Sequence, residues 1–251
     1  MELKRSPFRG VTNIIRFNWH LYLCAGVILA ILISWQHKLP APLKPFALTI
    51  SFALGITLIA SLAVSYFIYD FSDLYQLPWL PDLNFKKVLN IHAGFDETSN
   101  IIMGKFPNTE LTICDFYDKD KHTEISLRRA RRIYPPTNNT IRVAANNLPF
   151  KDNTFDYSLI IFAAHEIRDK SDRVQFFKEI DRVTKAGGEI FLTEHLRDLN
   201  NFLAYSLGSL HFYAKSSWME IFKTAGLAVT SEIKITPFIT TFVLRKNGDT
   251  L

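Results

Sequence analysis

Hydropathy divides the chain near residue 70. Residues 21–35 carry no charged side chain, and neither do residues 46–69. A helix that crosses a bilayer needs about twenty apolar residues. The second run exceeds that; the first is short by itself and is extended at the front by Trp19 and His20. Phe17, Trp19, Tyr22 and Trp35 bracket the first run as aromatics suited to a membrane–water interface. Between the runs, Pro40, Pro42 and Pro45 forbid a continuing helix and force a reversal. The pattern predicts a hairpin of two membrane-crossing helices, about 19–37 and 46–69. A cleaved leader and a buried soluble hairpin are the competing readings. The second run, apolar on every face, argues against both.

Beyond Asp70 the pattern changes to short apolar runs alternating with charged, helix-periodic stretches. Pro78 and Pro81 mark a boundary, dividing a membrane anchor, 1–75, from a second domain, 76–251. Strands are expected at 87–91, 111–114, 140–143, 156–162, 189–193, 228–235 and 240–245. Helices are expected up to 105, over 121–133, 172–184 and 217–225, the last ended by Gly226. Strands alternating with helices predict a parallel α/β sheet, and the final strand pair reads as a hairpin.

Composition refines this picture in two places. The formal net charge is +5, a weak preference for anionic surfaces. No basic run is interleaved with aromatics, so no nucleic-acid partner is expected. The densest basic cluster, Arg128 to Arg132, reads as a solvated helix face. Of the two cysteines, Cys24 falls in an apolar helix and Cys114 in a buried strand, so neither suggests a disulfide or a metal site.

The most specific words in the chain are Leu148-Pro-Phe-Lys-Asp-Asn-Thr-Phe-Asp156 and Arg182-Val-Thr-Lys-Ala-Gly-Gly188. They resemble the class I S-adenosylmethionine-dependent methyltransferases, in particular the small-molecule and quinone methyltransferases. The resemblance covers about residues 86–246. It implies a Rossmann-like seven-stranded sheet, S-adenosylmethionine as cofactor, and a site beyond the carboxyl ends of the strands. It implies cofactor contacts at Asn90, His92 and Gly94 after the first strand, and at Asp115, whose carboxylate suits the ribose hydroxyls. It further implies contacts at Ala145, Asn146 and Leu148 in the third loop, and at Phe162. His165, Glu166 and His195 are the candidate catalytic groups, an imidazole being a base near neutral pH. The aromatic insertion 196–215 resembles a substrate lid.

Departures from the family pattern stand at Asn90 for an acid, at His92 and Asp96 for glycines, and at Ala144 for an acid. They keep a second reading open, a degenerate fold serving as a membrane-tethered binding or scaffold protein. The leading reading is a membrane-anchored methyltransferase acting on a hydrophobic small molecule: a lipid, a quinone-like or an aryl-polyene-like acceptor. Basic residues decide orientation. Lys4, Arg5, Arg9 and Arg16 precede the first run, against Lys38 and Lys44 in the turn. The N-terminus and the second domain are therefore expected on the cytoplasmic side of the cell membrane, with the lipid bilayer as partner.

Overall fold

The hydropathy break corresponds to a change of architecture. The computed structural model describes residues 6–248; Lys4 and Arg5 lie outside the described residues. Two long helices, α1 (Arg9–Trp35) and α2 (Lys44–Tyr66), pack as a hairpin joined by short 3-10 turns at Gln36–Lys38 and Ala41–Leu43. Both are long and apolar enough to cross a membrane, and little of either is buried in the protein.

Helix α1 begins ten residues before the expected span, and its first half docks onto the second domain. There Asn13 accepts a hydrogen bond from the Tyr134 hydroxyl at 3.0 Å. Phe17 packs edge-on to Phe95, 5.3 Å between centroids. Arg129 donates to the Phe17 carbonyl at 2.7 Å. The helix kinks at Asn18, which has a non-helical φ of −115° and returns its side-chain amide to the Ile14 carbonyl at 3.2 Å. Such local side-chain bonding competes with the helical ladder.

The base of the hairpin is closed by one carboxylate. Asp70 accepts from the Gly10 and Val11 amides at 2.7 and 2.8 Å. These amides at the start of α1 have no helical partner, and the positive end of the helix favours an anion there. Only glycine permits this approach, because a Cβ at residue 10 would sit 2.3 Å from Cβ of Tyr69. Asp70 and Tyr69 belong to a π-helical turn, Phe67–Phe71, that continues α2.

The second domain is one seven-stranded sheet in the order β3-β2-β1-β4-β5-β7-β6. Its strands are β1 (Lys87–His92), β2 (Glu110–Asp115), β3 (Thr140–Arg142), β4 (Phe155–Ile161), β5 (Thr184–His195), β6 (Leu227–Thr236) and β7 (Ile239–Lys246). All pairings are parallel except those of β7, which runs antiparallel to β5 and β6. The expected strands are all present. The fifth begins five residues earlier, at Thr184, and the helix expected from 121 begins at 125 as α4 (Ile125–Ile133).

Alternation along the strands builds two cores. Leu89, Ile91, Ile160 and Leu192 face a core with Phe177 of α5 (Lys170–Val183) and Trp218 of α7 (Lys215–Ala225). Val88, Leu159 and Phe191 face the other core, with Ile102 of α3 (Ser99–Lys105). Leu77, Trp79, Leu80 and Leu83 are buried in that second core, so the proline-marked segment between hairpin and sheet is packed against the sheet.

The two motif segments hold each other. Arg182 donates to the carbonyls of Leu148 and Phe150 at 2.9 and 2.8 Å and pairs with Asp152 at 2.7 Å. Asp156 accepts from Lys185 at 2.7 Å and from the Lys87 amide at 2.9 Å. This clasp fixes the loop before β4. The chain winds outward from β1 to β3, then restarts at β4 on the opposite side of β1. The cleft between the ends of β1 and β4 is therefore the switch point where open α/β sheets bind ligands.

Candidate active site

Two cavities open at this switch point. The first, of about 590 Å³, lies beyond β2 and β3. Phe116, Tyr117, Val143, Ala145 and Asn146 line it, and Asp118, Lys121 and Asp172 give it a polar rim. The second, of about 750 Å³, lies between the sheet and the hairpin. One wall is apolar and comes from the two long helices, with Ile14, Leu21, Ala25, Leu54 and Leu58. The other wall is polar and comes from strand ends and the insertion, with Asn90, His92, His165, Glu166, His195 and His211.

Asp115, His92, Gly94 and Arg131 stand together at the ends of β1 and β2. The Asp115 carboxylate is 1% exposed. It accepts from the Tyr117 amide at 2.9 Å and pairs with Arg131 at 2.5 Å. Two bonds leave acceptor capacity, because a carboxylate offers roughly four lone-pair positions. Arg131 also stacks over Tyr117, 4.5 Å from the ring centroid. Gly94 has a φ of +98°, and a Cβ there would meet Arg131 at 2.8 Å and Tyr117 at 3.0 Å.

Burial holds the His92 imidazole below its usual pKa despite Asp96 and Asp115 nearby. Its Nδ1 accepts from the Gly94 amide at 3.1 Å. Its Nε2 is buried without a hydrogen-bond partner among the described residues. A buried donor without a partner is costly, so a ligand atom fits there. Of this group Arg131 lines the first cavity and His92 the second, while Asp115 and Gly94 line neither. The spare acceptor capacity of Asp115 and the unpartnered His92 Nε2 suit a polar ligand.

The other expected residues are distributed as follows. Ala145 and Asn146 line the first cavity. Asn90 and Phe162 line the second. The Asn90 amide donates to the hydroxyls of Thr98 and Ser99 at 3.1 and 2.8 Å, so this side chain ties the strand end to the start of α3. Leu148 is packed in the core and lines neither cavity.

Two histidines at the second cavity have opposite environments. Burial pushes His195 down to about 4. Its neighbours fix its tautomer. The Asn201 amide nitrogen donates to Asp198 and to the Phe238 carbonyl, so its oxygen accepts from His195 Nδ1 at 3.0 Å. His195 Nε2 is then an acceptor, and the Tyr69 hydroxyl donates to it at 2.7 Å. Burial also penalises the charge on His165, but Glu194 and Glu166 outweigh it and hold its pKa well above the usual value. Glu194 lies 2.7 Å from Nδ1, and Glu166 lies 3.3 Å from Nε2. Glu166 is buried, yet His165 and His211 keep its carboxyl well below the ordinary range.

Three participants were not legible as such in the sequence. Arg131 belongs to the cluster read as a solvated face, and nothing in its spacing points to Asp115. Tyr69 ends an apolar run and is indistinguishable there from an interfacial aromatic. Tyr22 lines the second cavity and bonds Ser61 of α2 at 3.3 Å.

Residues 113–192 match the family described as "Methyltransferase domain". A demethylmenaquinone methyltransferase of Thermotoga maritima is 30% identical over 115 residues, 46% of this chain and 46% of that protein. The chain thus matches about half the length of that curated relative. A SAM-dependent methyltransferase of Aquifex aeolicus aligns at 14% identity over 65% of this chain and 84% of that one, with a TM-score of 0.49. A protein of Pyrococcus horikoshii aligns at 18% identity over 69% and 86%, with a TM-score of 0.48. The family match runs from the middle of β2 into β5 and includes the ends of β2, β3 and β4. Over residues 113–192 the α/β part of the chain is thus similar to the methyltransferase domains.

Proposed function

We propose that the protein is a membrane-anchored methyltransferase whose acceptor is a hydrophobic, membrane-borne small molecule of quinone-like character. The observation that carries this reading is the second cavity. Its apolar wall is made by the hairpin itself, so a molecule dissolved in the bilayer reaches the polar groups along the helices. Leu199, Leu203, Leu207 and Leu210 of the insertion are exposed close to α2. That adds an apolar surface suited to lipid contact. The similarity to a demethylmenaquinone methyltransferase over 115 residues supports the acceptor class.

When bound, S-adenosylmethionine supplies a methyl group on a sulfonium, whose carbon–sulfur bond breaks with the electron pair kept by sulfur as the acceptor's new bond forms. The protein aligns the two reactants. Asp115 holds the ribose hydroxyls, Ala145 and Asn146 flank the base, and Gly94 and His92 receive the amino-acid end. The acceptor's proton passes to the Tyr69 oxygen as Tyr69 hands its own to His195 Nε2. His195 is neutral above about pH 4, as a base must be. Both ends of the hairpin lie on the domain's side, with Arg9 and Arg16 there. That arrangement supports a cytoplasmic N-terminus and domain.

The test uses the full chain in liposomes with methyl-labelled cofactor. A demethylated isoprenoid quinone is expected to take up label, and a water-soluble quinone lacking the tail much less. No label in any lipid-soluble acceptor, together with no cofactor binding by calorimetry, would favour the non-catalytic binding protein. Recovery of the full chain in the soluble cell fraction would overturn the anchor.

A further inference from the structure

The methyl-transfer reading leaves a side-chain cluster on the polar wall of the second cavity without a task. His165 and Glu166 come from the 3-10 turn Ala164–Glu166 after β4, and His211 ends the 3-10 segment Ser206–His211 after α6 (Leu199–Tyr205). One ligand atom from each of the three lies within 4.8 Å of the others. Glu166 Oε1 is 3.3 Å from His165 Nε2 and 3.9 Å from His211 Nε2. Donor atoms bound to one ion at ~2.0–2.2 Å stand about 3–4 Å apart. The cluster therefore closes around an ion with small side-chain shifts.

The groups behind the cluster suit the same purpose. Glu194, 1% exposed, accepts from His165 Nδ1 at 2.7 Å. This leaves Nε2 facing the cluster, where an entering ion would displace its proton. A carboxylate behind a ligating imidazole is the usual support of a metal-binding histidine. Glu124 Oε2 lies 3.0 Å from His211 Nε2 and supplies further negative charge. Two histidines and one carboxylate on one side of a cavity form a set that suits divalent transition metals with positions left open.

We propose that His165, Glu166 and His211 bind one divalent transition-metal ion of the zinc class, with an open coordination position that takes an oxygen of the acceptor. The Arg168 guanidinium now rests 2.7 Å from His211 Nε2. Its side chain is 43% exposed, so it turns to solvent as the ion enters. The contact between ion and acceptor oxygen rests on the methyltransferase reading; binding of the ion does not.

The test is a Co2+ titration of the chelator-treated full chain in detergent, followed by visible d–d absorption. The same samples are titrated with S-adenosylhomocysteine. One Co2+ per chain, displaced by one Zn2+, is expected. His211→Asn and Glu166→Gln abolish the saturable signal while keeping wild-type affinity for the nucleoside product. Glu194→Gln weakens Co2+ binding by about 10–100-fold as a positioning residue. Arg168→Ala strengthens it, and His37→Asn in the hairpin turn leaves it unchanged. Absence of saturable Co2+ binding by the wild type, or equal binding by the His211 and Glu166 variants, overturns the site. Co2+ binding without nucleoside binding supports the metal site and sinks the methyltransferase reading, so the two failures remain distinct.

Discussion

The two ends of the proposed site, for cofactor and for acceptor, are built by different means. At the cofactor end every group comes from the sheet and its own loops: Asp115 and His92 end adjacent parallel strands, and Gly94 and Arg131 follow within the same domain. At the acceptor end the sheet supplies only one wall. The other is the hairpin, and Tyr69 on its π-helical turn reaches His195. The cofactor end is thus complete in the α/β domain, whereas the acceptor end exists only when the hairpin is docked. The hairpin is a working part of the proposed site as well as the proposed anchor.

Four measurements sharpen or break this contrast. The largest effect is expected for Tyr69→Phe, which removes the proton path from the acceptor side. Its kcat should fall by about 100-fold or more, with the affinity for S-adenosylhomocysteine unchanged. A normal kcat would return Tyr69 to a packing role.

His195 comes next, through stability. Its folded pKa of about 4 lies below the unfolded value of about 6.5. The unfolded chain therefore takes up a proton first as pH falls, and stability is lost between about pH 6.5 and 4. The shift corresponds to about 3 kcal/mol. Thermal unfolding across that window should show a shallower pH slope for His195→Asn than for the wild type; equal slopes would mean the imidazole is solvated.

Asp115→Asn should weaken S-adenosylhomocysteine binding by about 100-fold, since charge-assisted bonds contribute roughly 1.5–3 kcal/mol. Acceptor KM should stay constant. If calorimetry gives wild-type affinity, the ribose site lies elsewhere. The smallest effect is expected for Leu58→Trp, which fills the hairpin wall of the second cavity. It should raise acceptor KM by about tenfold, the scale of one lost apolar contact, and spare cofactor affinity. An altered cofactor affinity would show that the two cavities are one.

The division between legible and hidden residues follows the same contrast. The strands and the strand-end residues His92, Asp115, His165 and His195 were readable because parallel strands are short apolar runs and their last residues face the cleft. The clasp between 148–152 and Arg182 is local to one loop and one helix end, so it leaves a motif. Arg131 and Tyr69 left none. Arg131 reaches Asp115 from a helix of four arginines, of which Arg129 points instead to α1. Sequence spacing does not separate the two. Tyr69 acts across 126 residues, and its place depends on a π-helical turn that no periodicity announces. Leu148, expected among the cofactor contacts, is buried in the core, with Phe150 packed against that core.

Asp70 has a consequence for biogenesis. Helix α1 leaves the ribosome first, yet the carboxylate that caps its opening amides lies about 60 residues later, after the second helix. The partners of Asn13 and Phe17 come later still, at Phe95, Glu97 and Tyr134. The first turns of α1 therefore wait, undocked, until both helices and the first strands of the sheet have been made. The cavity between hairpin and sheet needs both to be in place, so a chain that has folded its sheet but not seated its helices lacks the proposed acceptor site.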